Sequence, residues 1–140
     1  MRRRVFIKGI VGSGVAWPLA ARAQASRVRV GFVDFASEND PNGSDRARAF
    51  RQGLERLGWA PTIDYYWSVF NVESAQRAAR DVLRLTPDVI VCAGTPATLA
   101  LKQATSTVPI VFAIVTEPMA QGIVESLAHP GGNLTGFSYL

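Results

Sequence analysis

From Val28 onward, short apolar runs alternate with segments whose apolar residues recur at three- and four-residue intervals. Val28–Val33 is a β-branched run broken only by Arg29 and Gly31, which predicts a first strand. Asp34–Asp45 is polar and carries Pro41 and Gly43, which predicts a loop. Asp45 stands where a helix cap would, ahead of Ala47, Phe50, Leu54 and Leu57 on one face, and Gly58 follows at the place of a C-terminal stop. Ile63–Phe70 is aromatic and β-branched and predicts a second strand. Ser74 predicts the cap of a second helix that buries Ala75, Ala78, Val82 and Leu85 and ends before Pro87.

The same rhythm then repeats. Val89–Cys92 is wholly apolar, the pattern of a strand covered on both faces. Gly94, Thr95 and Pro96 turn into a helix running to about Ala104, and Pro109 opens a strand over Ile110–Val115. Thr116, Glu117 and Pro118 form the next turn, followed by a short helix over Gly122–Leu127. Pro130–Asn133 predicts a loop and Leu134–Leu140 a fifth extended segment. Strands alternating with helices predict an α/β fold: an open, doubly wound parallel sheet flanked by helices, since each parallel pair needs a right-handed crossover.

The segment ahead of Val28 follows a different pattern. Arg2–Lys8 is basic, Gly9–Ala21 is an apolar run of 13 residues, and small residues follow. That run is shorter than the roughly 20 residues that cross a bilayer, and it predicts a cleaved export signal. Residues 1–25 are assigned to it, with cleavage after Ala25 at the second of two overlapping A-x-A sites, leaving residues 26–140 as the folded part. Arg3, Arg4, Phe6 and Lys8 fit the twin-arginine export consensus R-R-x-F-[IL]-K, although Arg2 replaces its usual Ser or Thr. Gly9, Gly12 and Gly14 do not make a nucleotide loop, because no strand precedes them and the G-x-G-x-x-G spacing is missing.

Composition narrows the function. The 140 residues allow one ordinary domain, and 48% apolar with 19% charged residues is globular. The net charge of +4 comes from the N-terminus, since residues 26–140 hold 10 cations against 11 acids, so no nucleic-acid partner is expected. One cysteine, Cys92, and one histidine, His129, exclude a disulfide framework and argue against a metal centre or a Ser-His-Asp triad; no metal or cofactor is expected. Cys92, between apolar neighbours in a strand, fits a small inert hydrophobe.

In a doubly wound sheet, ligands lie outside the carboxyl ends of the strands. Three loops would line that edge: Asp34–Asp45, Ala93–Thr98 and Thr116–Met119. Thr95 and Thr98 offer hydroxyls, Pro96 suits the first position of a helix, and the unpaired N–H groups there favour an anion. Thr95 and Thr116 read equally as helix caps. Asp34 and Glu38 read as solvated loop acids or as partners for an amine.

A set of longer matches spans most of the chain. These are Gly31 and Phe32; Ala49–Leu54 with Leu57, Gly58 and Trp59; Pro87–Val91; Gly94–Ala97; Ala104–Phe112; Thr116–Pro118; and Ser126–Gly136. In these residues the sequence resembles the ABC-transporter substrate-binding proteins related to tryptophan- and tyrosine-binding members. Glu117 departs from that family's commoner Asp, and Tyr66–Asn71 from its commoner polar pattern.

The resemblance implies a type I periplasmic-binding-protein fold of two α/β lobes, of which residues 26–140 supply the first. It maps ligand contacts onto Ala36 and Ser37, Thr95 and Pro96, and Thr116 and Glu117, acting through hydroxyls and backbone N–H groups. It further implies a periplasmic solute receptor that captures a small molecule, such as an amino acid or related polar compound, for a permease in the inner membrane. It implies no catalysis. The alternatives are a small exported enzyme, a hydrolase or a flavodoxin-like protein, or a signalling module; the hydrolase lacks a G-x-S-x-G elbow, the flavodoxin-like protein lacks a phosphate-cradling loop, and the signalling module has only Asp34, Glu38 and Glu117 for a cation.

Replacing Arg3 and Arg4 together by Lys is expected to hold the precursor inside the cell, because the pair is read as an address. Fractionation and immunoblotting check it. Normal export of the double variant would leave the general secretory route.

Overall fold

The computed structural model describes residues 27–68, 71–126 and 131–139, together with Leu19 and Ala23. Arg3, Arg4, Phe6, Lys8 and His129 lie outside the described residues. The described chain runs β1 (Arg29–Asp34), α1 (Pro41–Arg56), β2 (Thr62–Trp67), α2 (Val72–Arg84), β3 (Val89–Ala93), α3 (Thr95–Ala104), β4 (Ile110–Thr116) and β5 (Leu134–Tyr139). The strands form one sheet in the order β2-β1-β3-β4-β5, and every neighbouring pair is parallel. This is the α/β arrangement the alternating pattern predicts. Winding reverses between β1 and β3, which places the topological switch point there.

Right-handed crossovers put α1 on one face of the sheet and α2 with α3 on the other. On the second face lies the core. Val33, Ile90, Cys92, Ile110, Phe112 and Val115 are each no more than 1% exposed. Ala75, Ala78, Ala79 and Val82 of α2 and Ala97 and Leu101 of α3 cover them. Small residues let α2 approach closely, and a Cβ at Gly31 would collide with the side chain of Val82.

The α1 face is less covered. Phe50 of α1 meets Phe32 at 5.4 Å between ring centroids, and Tyr65 of β2 meets it at 5.6 Å. Farther along the sheet Val91, Val111 and Ala113 are only half-buried, and Phe137 is 75% exposed. The apolar run of β3 predicts cover on both faces. Among the described residues only its Ile90–Cys92 side has that cover, because α1 sits over β1 and β2.

Helix boundaries shift from the sequence pattern for local reasons. The first helix begins at Pro41 rather than after Asp45: the Asp40 side chain accepts from the Asn42 N–H at 2.9 Å, and Pro41, whose φ suits the first helical turn, follows the cap. Leu57 closes that helix at 76% exposure and so leaves the predicted apolar face, whereas Gly58, at φ 84°, is the expected stop. In α2 the cap is Asn71, not Ser74, with Asn71 Oδ1 accepting from the N–H groups of Glu73 and Ser74 at 2.9 and 3.2 Å. No helix forms over Gly122–Ser126 among the described residues. Gly122 adopts φ 68°, and the Ile123 N–H donates to the Pro118 carbonyl at 2.8 Å, closing a turn instead.

Ile90→Asp is expected to cost on the order of 4 kcal/mol, because it leaves a carboxylate unpaired among the helices. Val91→Asp, one residue on and facing the α1 side, should cost clearly less. Urea unfolding of both variants compares them, and equal losses would show that the two faces are equally covered.

Candidate functional site

At the carboxyl end of β1 the chain buries a charge. Asp34 is 0% exposed, and its carboxylate accepts from Arg46 Nε at 2.9 Å, Arg46 Nη2 at 2.8 Å and the Ala36 N–H at 2.8 Å. Its carbonyl accepts from the N–H and hydroxyl of Ser68, the residue after β2, at 2.8 and 3.0 Å. The sequence suggests a solvated loop acid or an amine partner; the structure places Asp34 inside the protein with both oxygens engaged. Its role is to hold the loop. Glu38, by contrast, is exposed.

The other predicted loops lie on the same edge. β1, β3 and β4 are successive neighbours, so at about 4.8 Å per strand their carboxyl ends fall within roughly 10 Å. Ala36 is buried and can offer only backbone, while Ser37 is exposed. Gly94 caps α3 at φ 92° with no side-chain hydrogen bond, and Thr95 and Pro96 open the helix half-buried. Thr95 is therefore not the cap, and its hydroxyl is spared that duty. Thr98 turns inward instead, fully buried, donating to the Gly94 carbonyl at 2.8 Å and lying 3.2 Å from Cys92 Sγ.

At the end of β4, Thr116 and the following Glu117 are exposed and Pro118 is buried. A turn rather than a helix follows, with the Gln121 N–H donating to the Glu117 carbonyl at 3.0 Å, so Thr116 caps nothing there. The strand reaches this edge through a register shift between Phe112 and Val115, with Ile114 at φ 57° and Glu117 at φ 48°. A β-branched residue in the left-handed region is strained, and such bulges commonly re-aim the end of a strand.

Arg46, Ser68 and Phe35 are the structural members of this edge that spacing does not announce. Arg46 lies 12 residues from its partner Asp34, and its Cζ stands 4.6 Å from the centre of the Phe35 ring. Two concave spaces lie away from Ser37, Thr95 and Thr116, and Glu38 lines the first of them. One of about 460 Å³ is lined by Arg48, Arg51, Tyr65 and Trp67 beside α1; the other, of about 420 Å³, is lined by Lys102, Ile123, Glu125 and Asn133 near the end of α3. Among the described residues no three His, Cys, Asp or Glu side chains converge as a metal site.

Comparison with known proteins places this geometry in context. The family model for ABC transporter substrate binding protein matches residues 41–140. A tyrosine-binding protein from Clostridioides difficile (strain R20291) is 30% identical over 102 residues, covering 70% of this chain and 30% of that protein. An ABC domain from Streptococcus pneumonia, solved with L-Trp, superposes with a TM-score of 0.73 at 28% identity, over 81% of this chain and 39% of that one. A conserved domain protein from Vibrio cholerae gives 0.75 at 32% identity, over 82% of this chain and 40% of that one. The chain thus spans 30–40% of the length of these relatives. Their folds bear out the type I periplasmic-binding-protein architecture.

Directly beneath the edge, Cys92 is wholly buried, and that burial pushes its thiol from the usual 9.0 up to about 12, against the smaller opposing effect of Thr98. Between those values the unfolded chain loses a proton that the folded chain keeps. Stability therefore falls as pH rises through that window, by at most about 1.4 kcal/mol per pH unit. Cys92→Ala is expected to flatten this alkaline loss in urea titrations from pH 8 to 11. Iodoacetamide at pH 8 should leave the folded wild type unmodified by mass spectrometry and alkylate it fully in urea.

Proposed function

The chain belongs to the ABC transporter substrate-binding protein family, and from that premise we propose that it is the first lobe of an exported solute receptor for import. Its carboxyl edge captures a small polar molecule, which a second lobe encloses, and no bond is made or broken. Ser37, Thr95, Thr116 and Glu117 offer side-chain contacts, while Ala36 and Pro96 shape the surface through backbone and ring. The observation that carries the reading is the start of α3. It lies after the central strand, with no side chain capping it, between two loops that reach the same edge. Unpaired N–H groups at a helix start favour a carboxylate or other anion.

Two further facts support an amino acid or related compound as the ligand. One relative is named for tyrosine, and another was solved with L-Trp. Export through the signal in residues 1–25, by the twin-arginine route, would deliver the receptor to the periplasm. There it would hand its ligand to an inner-membrane permease. Family membership and the basic-apolar N-terminal pattern support that placement.

Each lobe of a hinge-closing receptor supplies part of the contact surface. If two lobes together bind at about −8 kcal/mol, one alone retains roughly −4 kcal/mol, which is millimolar affinity. Isothermal titration of residues 26–140 with amino acids is expected to show little heat. A polypeptide extended through a second lobe should bind at least one of them, and should lose affinity on Thr95→Val. Tight stoichiometric binding by the short chain would overturn the half-site reading.

A further inference from the structure

We infer that Arg46 is a positioning residue that locks the loop after β1 to the turn after β3, an assignment that rests on the binding role proposed above for that edge. Arg46 grips Asp34 through two parallel hydrogen bonds of 2.9 and 2.8 Å, a geometry that fixes the guanidinium plane as well as its charge. In that position its Cζ lies 4.6 Å from the centre of the Phe35 ring, within the range of a cation–π contact. The same ring packs on Gly94: a Cβ placed there would come within 2.8–3.0 Å of Phe35 carbons. Gly94 in turn donates its N–H to the Ala113 carbonyl of β4 at 3.0 Å.

One connected path therefore runs from α1 through Arg46 and Phe35 to Gly94 and on to β4. It links the ends of β1 and β3 to β4, the strands from which the three loops assigned to the ligand leave. Gly94 serves twice, since φ 92° and contact with the ring both exclude a side chain. Arg46 is 27% exposed along its side chain, so the grip is partly shielded from water while its partner is wholly buried. Lys cannot substitute for it, because a point charge has neither the two-pronged bond nor the flat face.

Amide hydrogen exchange on the 140-residue chain without ligand tests this. Arg46→Gln and Arg46→Lys should both accelerate exchange of the Ala36, Gly94 and Thr98 amides by about tenfold or more beyond the acceleration that the core amide of Ile90 shows through loss of global stability. Phe35→Leu keeps the ion pair but removes the ring, so it should accelerate Gly94 and Thr98 and spare Ala36. Acceleration of Ala36 alone in the Arg46 variants would overturn the inference, as would equal acceleration of Ile90 or full rescue by Lys. If Arg46→Gln does not fold, unchanged Gly94 and Thr98 amides in Phe35→Leu would overturn it alone. Exchange is read with no ligand present, so loss of this coupling is distinguishable from failure of the binding role, which the calorimetric titration measures.

Discussion

A carboxylate with no exposed surface at the end of the first strand governs how this edge is built. Removing Asp34 from water is costly, and leaving it unpaired would cost about 3–5 kcal/mol, so the surrounding chain must supply donors. It does so from three directions: a guanidinium from α1, an amide from the loop that follows, and, on the neighbouring carbonyl, two donors from the residue after β2. Satisfying one buried residue thereby fixes the start of the first loop, the orientation of α1 and the end of the edge strand together. No buried side-chain nitrogen or oxygen among the described residues lacks a partner. These buried polar groups serve as geometry, whereas Ser37, Thr116 and Glu117 stand exposed at the same edge.

The sheet is asymmetric in a way that follows from its winding. Crossovers from β2 to β3 and from β3 to β4 both lie on one face, so α2 and α3 pack against each other and bury that side completely. Only the first crossover lies on the other face, over β1 and β2. The half-buried Val91, Val111 and Ala113 and the exposed Phe137 are the consequence for β3 to β5.

What was legible in the sequence was whatever a run of residues decides by itself. Wholly apolar Val89–Cys92 and Ile110–Val115 could only be interior strands, and the small-residue face of α2 follows from its spacing. Caps were misplaced by five and three residues because several candidates compete locally. Asp40 and Asp45 both precede apolar positions, as do Asn71 and Ser74, and a proline at Pro41 reads as a loop until the helix behind it is seen. The site divides in the same way. Loops at strand ends follow from the fold class, so the placement of Ser37, Thr95 and Thr116 along one sheet edge was legible. The Asp34–Arg46 pair was not, since it depends on where a helix face meets a strand end 12 residues away. Strain at Ile114 depends equally on pairing with β5 and leaves no mark in the sequence.

Capture of a small molecule, as proposed above, places its own demands on such an edge. Burial pushes the Cys92 thiol near these loops up to about 12, and Asp34 is held in an internal ion pair. Under the proposed reading, Thr95, Thr116 and the start of α3 would bind by shape and hydrogen bonding, and selectivity would depend on their being held at fixed spacing, because a misplaced donor left unpaired is penalised more than a good one is rewarded. Rigid support beneath a polar, unreactive surface is therefore what a capture function requires. The partly shielded network proposed from α1 through Gly94 to β4 would supply that rigidity where the three loops diverge.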